Sequence, residues 1–229
     1  RYSISASAEN IAERFSVDVP DFYKARYNCA PTQLLPVITT TSPAGVSLFY
    51  WGTSPEWSKN KTLSERSINL RAENFAEKNV LNRALRKNRC IIPADGFYAW
   101  EKIGKKTSVP YRFVLSSGEL FSFAGLWEEF EDTEGHEIHT FSLITTESSG
   151  LVSQIQDRMP LILNKEQETI WLDNATEEDT LLSMINSKRS FVMNYYPVSP
   201  KISDSQADMP SLIIPTPPAD QHGNLTLFD

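Results

Sequence analysis

Three polar residues that alternate with apolar ones have side chains that could hold an anion or orient a carbonyl group. They are Asn69, Arg71 and Glu73, within residues 67–74. Successive side chains of a β-strand point to opposite faces, so these three are predicted to project together. An amide, a guanidinium and a carboxylate in one row can bind a phosphate. The alternative is an ordinary strand with one solvated face, for which such alternation is also typical.

A second stretch, residues 90–101, joins an apolar run to a set of aromatic side chains. Between them, Asp95 and Gly96 predict a tight turn in which the glycine takes a positive φ. Aromatic rings such as Trp100 next to a turn could offer a stacking surface. The alternative is a hairpin that belongs to the hydrophobic core.

A third stretch, residues 155–163, places Asp157 and Arg158 between two apolar runs. This position predicts that the charged pair is held against the body of the protein. Read alone, the pair is as consistent with a structural ion pair as with a functional one.

Taken together, these stretches resemble the SOS-response-associated peptidase (SRAP) family, whose members crosslink to abasic sites in single-stranded DNA. Asn-x-Arg-x-Glu is a weak signal by itself, whereas the ordered set of motifs is specific and runs from residue 1 to about residue 215. The matching segments are Tyr-Asn-Cys-Ala-Pro at 27–31, Trp-Gly at 51–52 with Pro55 and Trp57, Asn-x-Arg-x-Glu at 69–73, Ile-Pro-Ala-Asp-Gly-Phe-Tyr-x-Trp at 92–100, Asp-Arg-Met-Pro-Leu-Ile-Leu at 157–163 and Pro-Val-Ser at 197–199.

The chain departs from the family pattern at positions that matter for chemistry. Family members begin Met-Cys-Gly-Arg, and the start at Arg1 matches the part just after that Cys. We therefore expect the natural protein to carry further residues ahead of Arg1. Ala99 stands where the family has Glu, and Gln156 stands where it has His. Glu101 lies roughly 7 Å along the strand from Ala99, too far for a simple replacement.

The resemblance implies a specific reaction. An N-terminal Cys offers an amine and a thiol, which together close a thiazolidine ring on the aldehyde of an opened abasic site. A Glu and a His would move the protons, and an Asn amide would hold the N-terminus or the sugar oxygen. The implied catalytic positions here are Asn69, Ala99 and Gln156, and of these Asn69 alone keeps the family residue. "Peptidase" refers to self-removal of the initiator Met.

The resemblance also implies a groove for DNA. Arg1, Arg71 and Arg158 would line it, with Trp57 and Trp100 as a stacking platform for unstacked bases. The implied partner is single-stranded DNA that contains an abasic site. We expect the protein to act as a monomer without a metal or other cofactor, away from membranes.

Two other classes of function stay open at this point. The changes at Ala99 and Gln156 remove both proton-transfer groups and spare the basic and aromatic residues. They are consistent with a non-catalytic paralogue that binds single-stranded DNA or another polyanion, or with an inactivated variant. A metabolic hydrolase with an unrelated substrate is the third class.

Composition limits the remaining possibilities. The 229 residues are 40% hydrophobic and 22% charged, as in a soluble globular protein. The net charge of −7 argues against a broad electrostatic grip on duplex DNA, although it allows a local basic groove. There is no apolar run near 18 residues and no signal peptide pattern. Cys29 and Cys90 are too few for a disulfide framework and fit a reducing cytoplasm, with nucleoid association when DNA is bound.

Other catalytic signatures are missing from the sequence. His136 and His139 have i, i+3 spacing in a strand-like segment, which would put them on opposite faces, so they make a poor metal pair. Neither a phosphate-binding glycine loop nor Gly-x-Ser-x-Gly occurs.

The elements that must position these residues are mixed, with more strands than helices. We predict an α+β fold of mainly antiparallel strands that form a curved sheet or barrel-like core, with a few peripheral helices. We expect a single domain over residues 1–229, with an extended C-terminal tail from about 204. Thr176 and Asp179 predict a capping box at the last helix. Predicted helices are 8–15, 75–87, 166–172 and 177–185, and predicted strands are 35–40, 46–50, 111–115, 120–127, 138–145 and 191–196, with a Ser-Pro-Ala-Gly turn at 42–45.

Overall fold

Strands make up most of the regular structure. The computed structural model describes residues 1–52, 68–76, 79–105, 107–131, 135–187 and 191–226. Within these ranges the strands are β1 Tyr2–Ile4, β2 Arg26–Cys29, β3 Leu34–Thr39, β4 Ser42–Trp51, β5 Asn69–Arg71, β6 Arg89–Ala94, β7 Gly96–Lys102, β8 Ser108–Leu115, β9 Phe121–Glu131, β10 Glu137–Glu147, β11 Arg158–Pro160, β12 Ile162–Leu163 and β13 Met193–Pro197. The α-helices are α1 Ala8–Phe15, α2 Asn79–Lys87, α3 Lys165–Leu172 and α4 Glu178–Asn186.

Five strands of the larger sheet close into a barrel. Their order is β10-β4-β3-β6-β9, and β9 pairs back onto β10. Neighbouring strands are antiparallel except β4 and β10, which are parallel. Strands β5 and β11 add to β10, and β12 adds to β9. The prediction of a mainly antiparallel, barrel-like α+β fold is therefore confirmed.

A second sheet, in the order β13-β8-β7-β1-β2, packs against the barrel through aromatic rings. Tyr2 of β1 contacts Trp51 and Phe123 of the barrel, at 5.5 and 5.6 Å between ring centroids. Phe97 of β7 contacts Phe123 at 6.3 Å. Tyr2, Phe97 and Phe123 are almost fully buried, so the two sheets share one hydrophobic core.

The helices cover the outside of the barrel, and their caps differ from the prediction. Helix α3 begins with a capping box in which Asn164 and Gln167 bond to each other's backbone. The predicted box at Thr176 is wrong: the N-cap of α4 is Glu177, without a side-chain cap bond. The Thr176 hydroxyl instead donates to the carbonyl of Ile170 at 2.7 Å, at the end of the preceding helix.

The predicted turn at 42–45 is also wrong, because these residues belong to β4. The turn lies just before them, where Thr39 Oγ1 accepts a hydrogen bond from the backbone of Ser42. Residues 42–45 stay extended because the backbone of Asp18 bonds to Ala44 and Val46. The helix predicted over 75–87 is a 3-10 helix, Ala72–Ala76, followed by α2.

Gly96 is required for a reason other than the predicted positive φ. It does not have positive φ and begins β7. A Cβ atom here would lie 2.7 Å from Nε of Arg112. That guanidinium is held by the Asp95 carboxylate at 2.7 Å, and Asp95 also accepts from Ser3 Oγ at 2.6 Å. The glycine therefore makes room for a buried ion pair.

The C-terminal residues pack more closely than an extended tail would. Ile202 and Leu212 are fully buried and form a smaller core cluster with Tyr98 and Val198. This segment includes 3-10 helices at Pro200–Ser203 and Pro210–Ile213. Among the described residues, no helix is both long enough and apolar enough to cross a membrane.

Candidate functional site

Strand β10 brings together two charged motifs that are far apart in the sequence. Strand β5 runs parallel to β10, with Asn69 opposite Leu143 and Arg71 opposite Thr145. Strand β11 runs antiparallel to the end of β10, with Arg158 opposite Glu147. The Asn-x-Arg-x-Glu segment and the Asp-Arg-Met-Pro segment therefore meet at one end of the barrel.

A cavity of about 230 Å³ lies where these motifs approach the second sheet. Five predicted site residues line it: Arg1, Asn69, Trp100, Gln156 and Arg158. They come from four separate segments of the chain, since Gln156 and Arg158 share one, so the tertiary fold has gathered them at one place.

Arg158 is tied to Glu73 across the mouth of this cavity. Its guanidinium forks onto the Glu73 carboxylate at 2.9 and 3.1 Å and also donates to the carbonyl of Thr145 at 2.6 Å. The bond from Arg158 lowers the pKa of Glu73, so the carboxylate is charged at neutral pH. The carboxylate that Arg158 binds is therefore that of Glu73, which lies 85 positions away in the sequence. A phosphate that approached Arg158 would have to share it with Glu73.

Arg1 is held by the C-terminal segment. Its guanidinium donates to the carbonyls of Ile202 and Ser203, both at 2.8 Å, and to Asn28 Oδ1 at 3.1 Å. Its own carbonyl accepts from the backbone of Tyr98 at 3.0 Å. The backbone nitrogen of Arg1 is buried as well.

Asn28 binds the same C-terminal segment through its side-chain amide. It is fully buried, and its amide donates to the carbonyls of Asp204 and Ala207 at 2.8 Å each. Trp100 is attached to the same segment, because its indole N–H donates to Ser203 Oγ at 3.2 Å. The residues that the sequence suggested as a tail therefore hold in place two residues that line the cavity, Arg1 and Trp100.

Other predicted residues lie elsewhere. Ala99 is fully buried in the main core opposite Tyr111 and does not line the cavity. Arg71 ends β5 with an exposed side chain outside the cavity lining. Glu73 follows β5 in a 3-10 helix, so the predicted single row of side chains stops at Arg71. Trp57 lies outside the described residues.

The cavity offers hydrogen bonds and positive charge but no acid or base. Among its described lining residues there is no carboxylate and no imidazole. The nearby Cys29, opposite Tyr2 in the paired strands, is buried, and burial raises the pKa of its thiol. Cys90 is buried too, and desolvation raises the pKa of its thiol. Both therefore stay protonated thiols.

Sequence reasoning missed several residues that shape the cavity. Tyr2, Phe123 and Thr145 line it although no motif pointed to them. Trp51 lines it as well, with its indole N–H bonded to the carbonyl of Ile68 at 3.0 Å. The Trp-Gly motif was the available signal for Trp51, because the following Gly52 takes a φ of 82° that turns the chain away.

A larger cavity of about 760 Å³ lies at the Asp95 side of the second sheet. Its buried arginines are already paired, Arg112 with Asp95 and Arg14 with Glu168. His139 lies outside the lining of this cavity. Its ring stacks on Phe49, and its Nε2 is 3.1 Å from Oε2 of Glu129. These groups stabilise the fold and offer no free charge to a ligand in the described part of the chain.

Comparison with known proteins identifies the family. Residues 1–205 match the model of "SOS response associated peptidase (SRAP)", and the chain belongs to this family. It is 37% identical over 218 residues to the abasic site processing protein YoqW of Bacillus subtilis (strain 168), covering 93% of this chain and 97% of that one. It is 27% identical to the abasic site processing protein HMCES of Rattus norvegicus, covering 86% of this chain and 66% of that one.

Solved structures agree with this assignment. A crystal structure of a Bacteroides thetaiotaomicron protein superposes with a TM-score of 0.76 at 26% identity, covering 94% of this chain and 98% of that one. A Bordetella bronchiseptica protein superposes with a TM-score of 0.72 at 21% identity, covering 86% and 98%, which supports the fold alone.

Proposed function

We propose that this chain binds single-stranded DNA at the cavity lined by Arg1, Asn69, Trp100, Gln156 and Arg158 and processes abasic sites there. The observation that carries the proposal is the assembly of these five residues, from four segments of the chain, around one small cavity. Relatives that match nearly the whole chain are named abasic site processing proteins, which supports the same substrate.

The reaction needs a nucleophile, and we place it ahead of Arg1. Arg1 lines the cavity and its backbone nitrogen is buried, so residues placed before it would start at the site. With Met-Cys-Gly restored and the Met removed, the Cys amine would form an imine with the sugar aldehyde and release water. Its thiol would then add to the imine carbon and close a thiazolidine ring.

Each described residue has a role that its position allows. The amide of Asn69 would orient the N-terminus or the sugar oxygen, because it is the hydrogen-bonding residue of β5 in the cavity. Trp100 would offer its ring to a base, which is worth roughly 1–3 kcal/mol per stacked base. Arg158, shared with Glu73, would meet the sugar-phosphate backbone.

The test is a gel-shift assay with the Met-Cys-Gly-restored protein and a single strand that carries one abasic site. We expect a shifted band that survives heating in denaturant. Asn69→Ala should weaken or slow it, whereas Asn10→Ala, an exposed residue of α1, should not. No shift even at low salt would contradict the proposal.

A second candidate is DNA binding without crosslinking. It is favoured by the absence of any carboxylate or imidazole among the described lining residues and by the burial of Ala99 in the core. If this candidate is right, the protein that carries the restored Cys should shift the DNA on a native gel, and the shifted band should disappear after denaturation. The same assay therefore separates the two candidates.

A further inference from the structure

A cavity of about 350 Å³ lies on the other side of β11 from the proposed site. We call it the second cavity, and the cavity of the proposed site the first. Met159 and Pro160 line both cavities. Glu73, which lines the second cavity, bonds to Arg158, which lines the first. The two cavities are thus neighbours separated by one strand and one ion pair.

The walls of the second cavity suit a flat apolar group. Met159, Leu161, Ile162 and Ile185 are almost fully buried and form its floor. Phe191 adds an aromatic ring, half-buried at its edge. Its volume lies within the range of sites that enclose small ligands.

The polar groups of this cavity select the kind of ligand. Two carboxylates, Glu73 and Glu147, line it together with the exposed Asn186, and its described lining contains no Lys or Arg. A phosphate would therefore be repelled. A neutral ring whose amino group can donate to a carboxylate would be accepted, as cytosine N4 donates to Glu in DNA complexes.

We propose that this second cavity binds a nucleobase of the nucleotide next to the abasic site, with preference for a base that carries an exocyclic amino group. The inference rests on the proposed function, because the strand held in the first cavity brings that base to the second. The shared residues Met159 and Pro160 put an adjacent nucleotide within reach. The base would lie against Met159 and Phe191, with its amino edge towards Glu147.

The experiment measures noncovalent binding by fluorescence anisotropy. The reference strand carries a tetrahydrofuran abasic analogue, which has no aldehyde, between two cytosines. In two further strands a second tetrahydrofuran replaces either the 5′ or the 3′ cytosine. We expect one of these replacements to weaken binding by about tenfold, the range of one lost base stack, and thymine at that place to bind more weakly than cytosine.

Asn186→Trp blocks the cavity from its rim and should weaken binding of the reference strand by a similar factor. It should also make the protein insensitive to loss of the neighbouring base. Asn194→Trp, on exposed β13 outside both cavities, is the matched control and should bind like the wild type. If Asn186→Trp fails to fold in a thermal melt, Ser148→Leu narrows the same cavity from its wall.

The outcomes separate the two proposals. If the wild type does not bind the reference strand, the proposed function fails and takes this inference with it. If the wild type binds all three tetrahydrofuran strands equally, or if the folded blocking variant binds like Asn194→Trp, this inference alone is wrong.

Discussion

Two guanidinium groups, at Arg89 and Arg158, show how differently this fold uses the same side chain. Arg89 is fully buried, and it donates to the carbonyls of Trp171, Leu85 and Asp173 at 2.6, 2.6 and 2.7 Å. These carbonyls belong to the ends of α2 and α3, where intrahelical donors run out. Arg158 remains partly exposed and is forked onto an exposed carboxylate at the mouth of the cavity.

The two arginines differ in whether water or another ion can replace the groups that bind their guanidinium. The carbonyls of Leu85 and Trp171 that Arg89 binds are buried, so removal of the guanidinium leaves them without a donor. The Glu73 carboxylate beside Arg158 is half-exposed, so water, salt or a phosphate can take the place of either partner. The first region should therefore control stability, and the second should control binding with little effect on stability.

The change that we expect to lower stability most is at the buried Arg89. Arg89→Met should lower the free energy of unfolding by at least about 3 kcal/mol, because two buried helix-end carbonyls, those of Leu85 and Trp171, lose their donor. Urea denaturation measures it. Arg83→Met, on the exposed face of α2, is the control and should stay within about 0.5 kcal/mol of wild type. Equal midpoints for the two variants would show that water replaces the guanidinium.

The next effect should appear in activity alone. In the protein with Met-Cys-Gly restored, Gln156→His should raise the crosslinking rate by about 10²-fold, since a positioned acid–base group typically contributes this much. The melting temperature should not change, because Gln156 lines an open cavity. Gln154→His, exposed and outside the cavity, is the matched control. Identical rates for both would remove position 156 from the proton transfers.

A third arginine, Arg112, is buried like Arg89 but is paired with a carboxylate, that of Asp95. Gly96→Ala puts a methyl group against the Arg112 guanidinium and should cost about 1–3 kcal/mol. At Gly45 the nearest atom to an added Cβ lies at 3.7 Å, so Gly45→Ala should cost less than about 0.5 kcal/mol. Chemical denaturation measures both variants. Equal stability of the two would show that the Arg112–Asp95 ion pair can shift to make room for the methyl group.

The smallest effect is the pH dependence of the Arg158–Glu73 pair. The folded-state pKa of Glu73 is lowered, mainly by the bond from Arg158. Its contribution is therefore present above the unfolded-state pKa and is lost as the pH falls through the folded-state pKa. Near neutral pH, wild type should exceed Glu73→Gln by about 0.2–1 kcal/mol in denaturation, as for other exposed pairs. The gap should close in acid. A gap that persists at pH 2 would contradict this assignment.

Local patterns predicted much of the fold but less of the site. Helix α1 matches the predicted range because its apolar spacing and Ser7 cap are local. The class of fold followed from many short strands joined by short turns. The predicted capping box failed because Thr176 bonds to the preceding helix, and the predicted turn at 42–45 failed because Asp18 extends that segment. Both errors come from partners distant in sequence or in a neighbouring element.

The order and spacing of the motifs can be read without a structure, and they were enough to indicate the family and the residues of the candidate site. The tertiary structure alone decided that Arg158 pairs with Glu73, that Arg1 is held by Ile202 and Ser203, and that Ala99 lies in the core. The physical reason is that pairing partners are chosen by strand register. Strand β10 aligns segments almost ninety positions apart, and no local periodicity records that alignment.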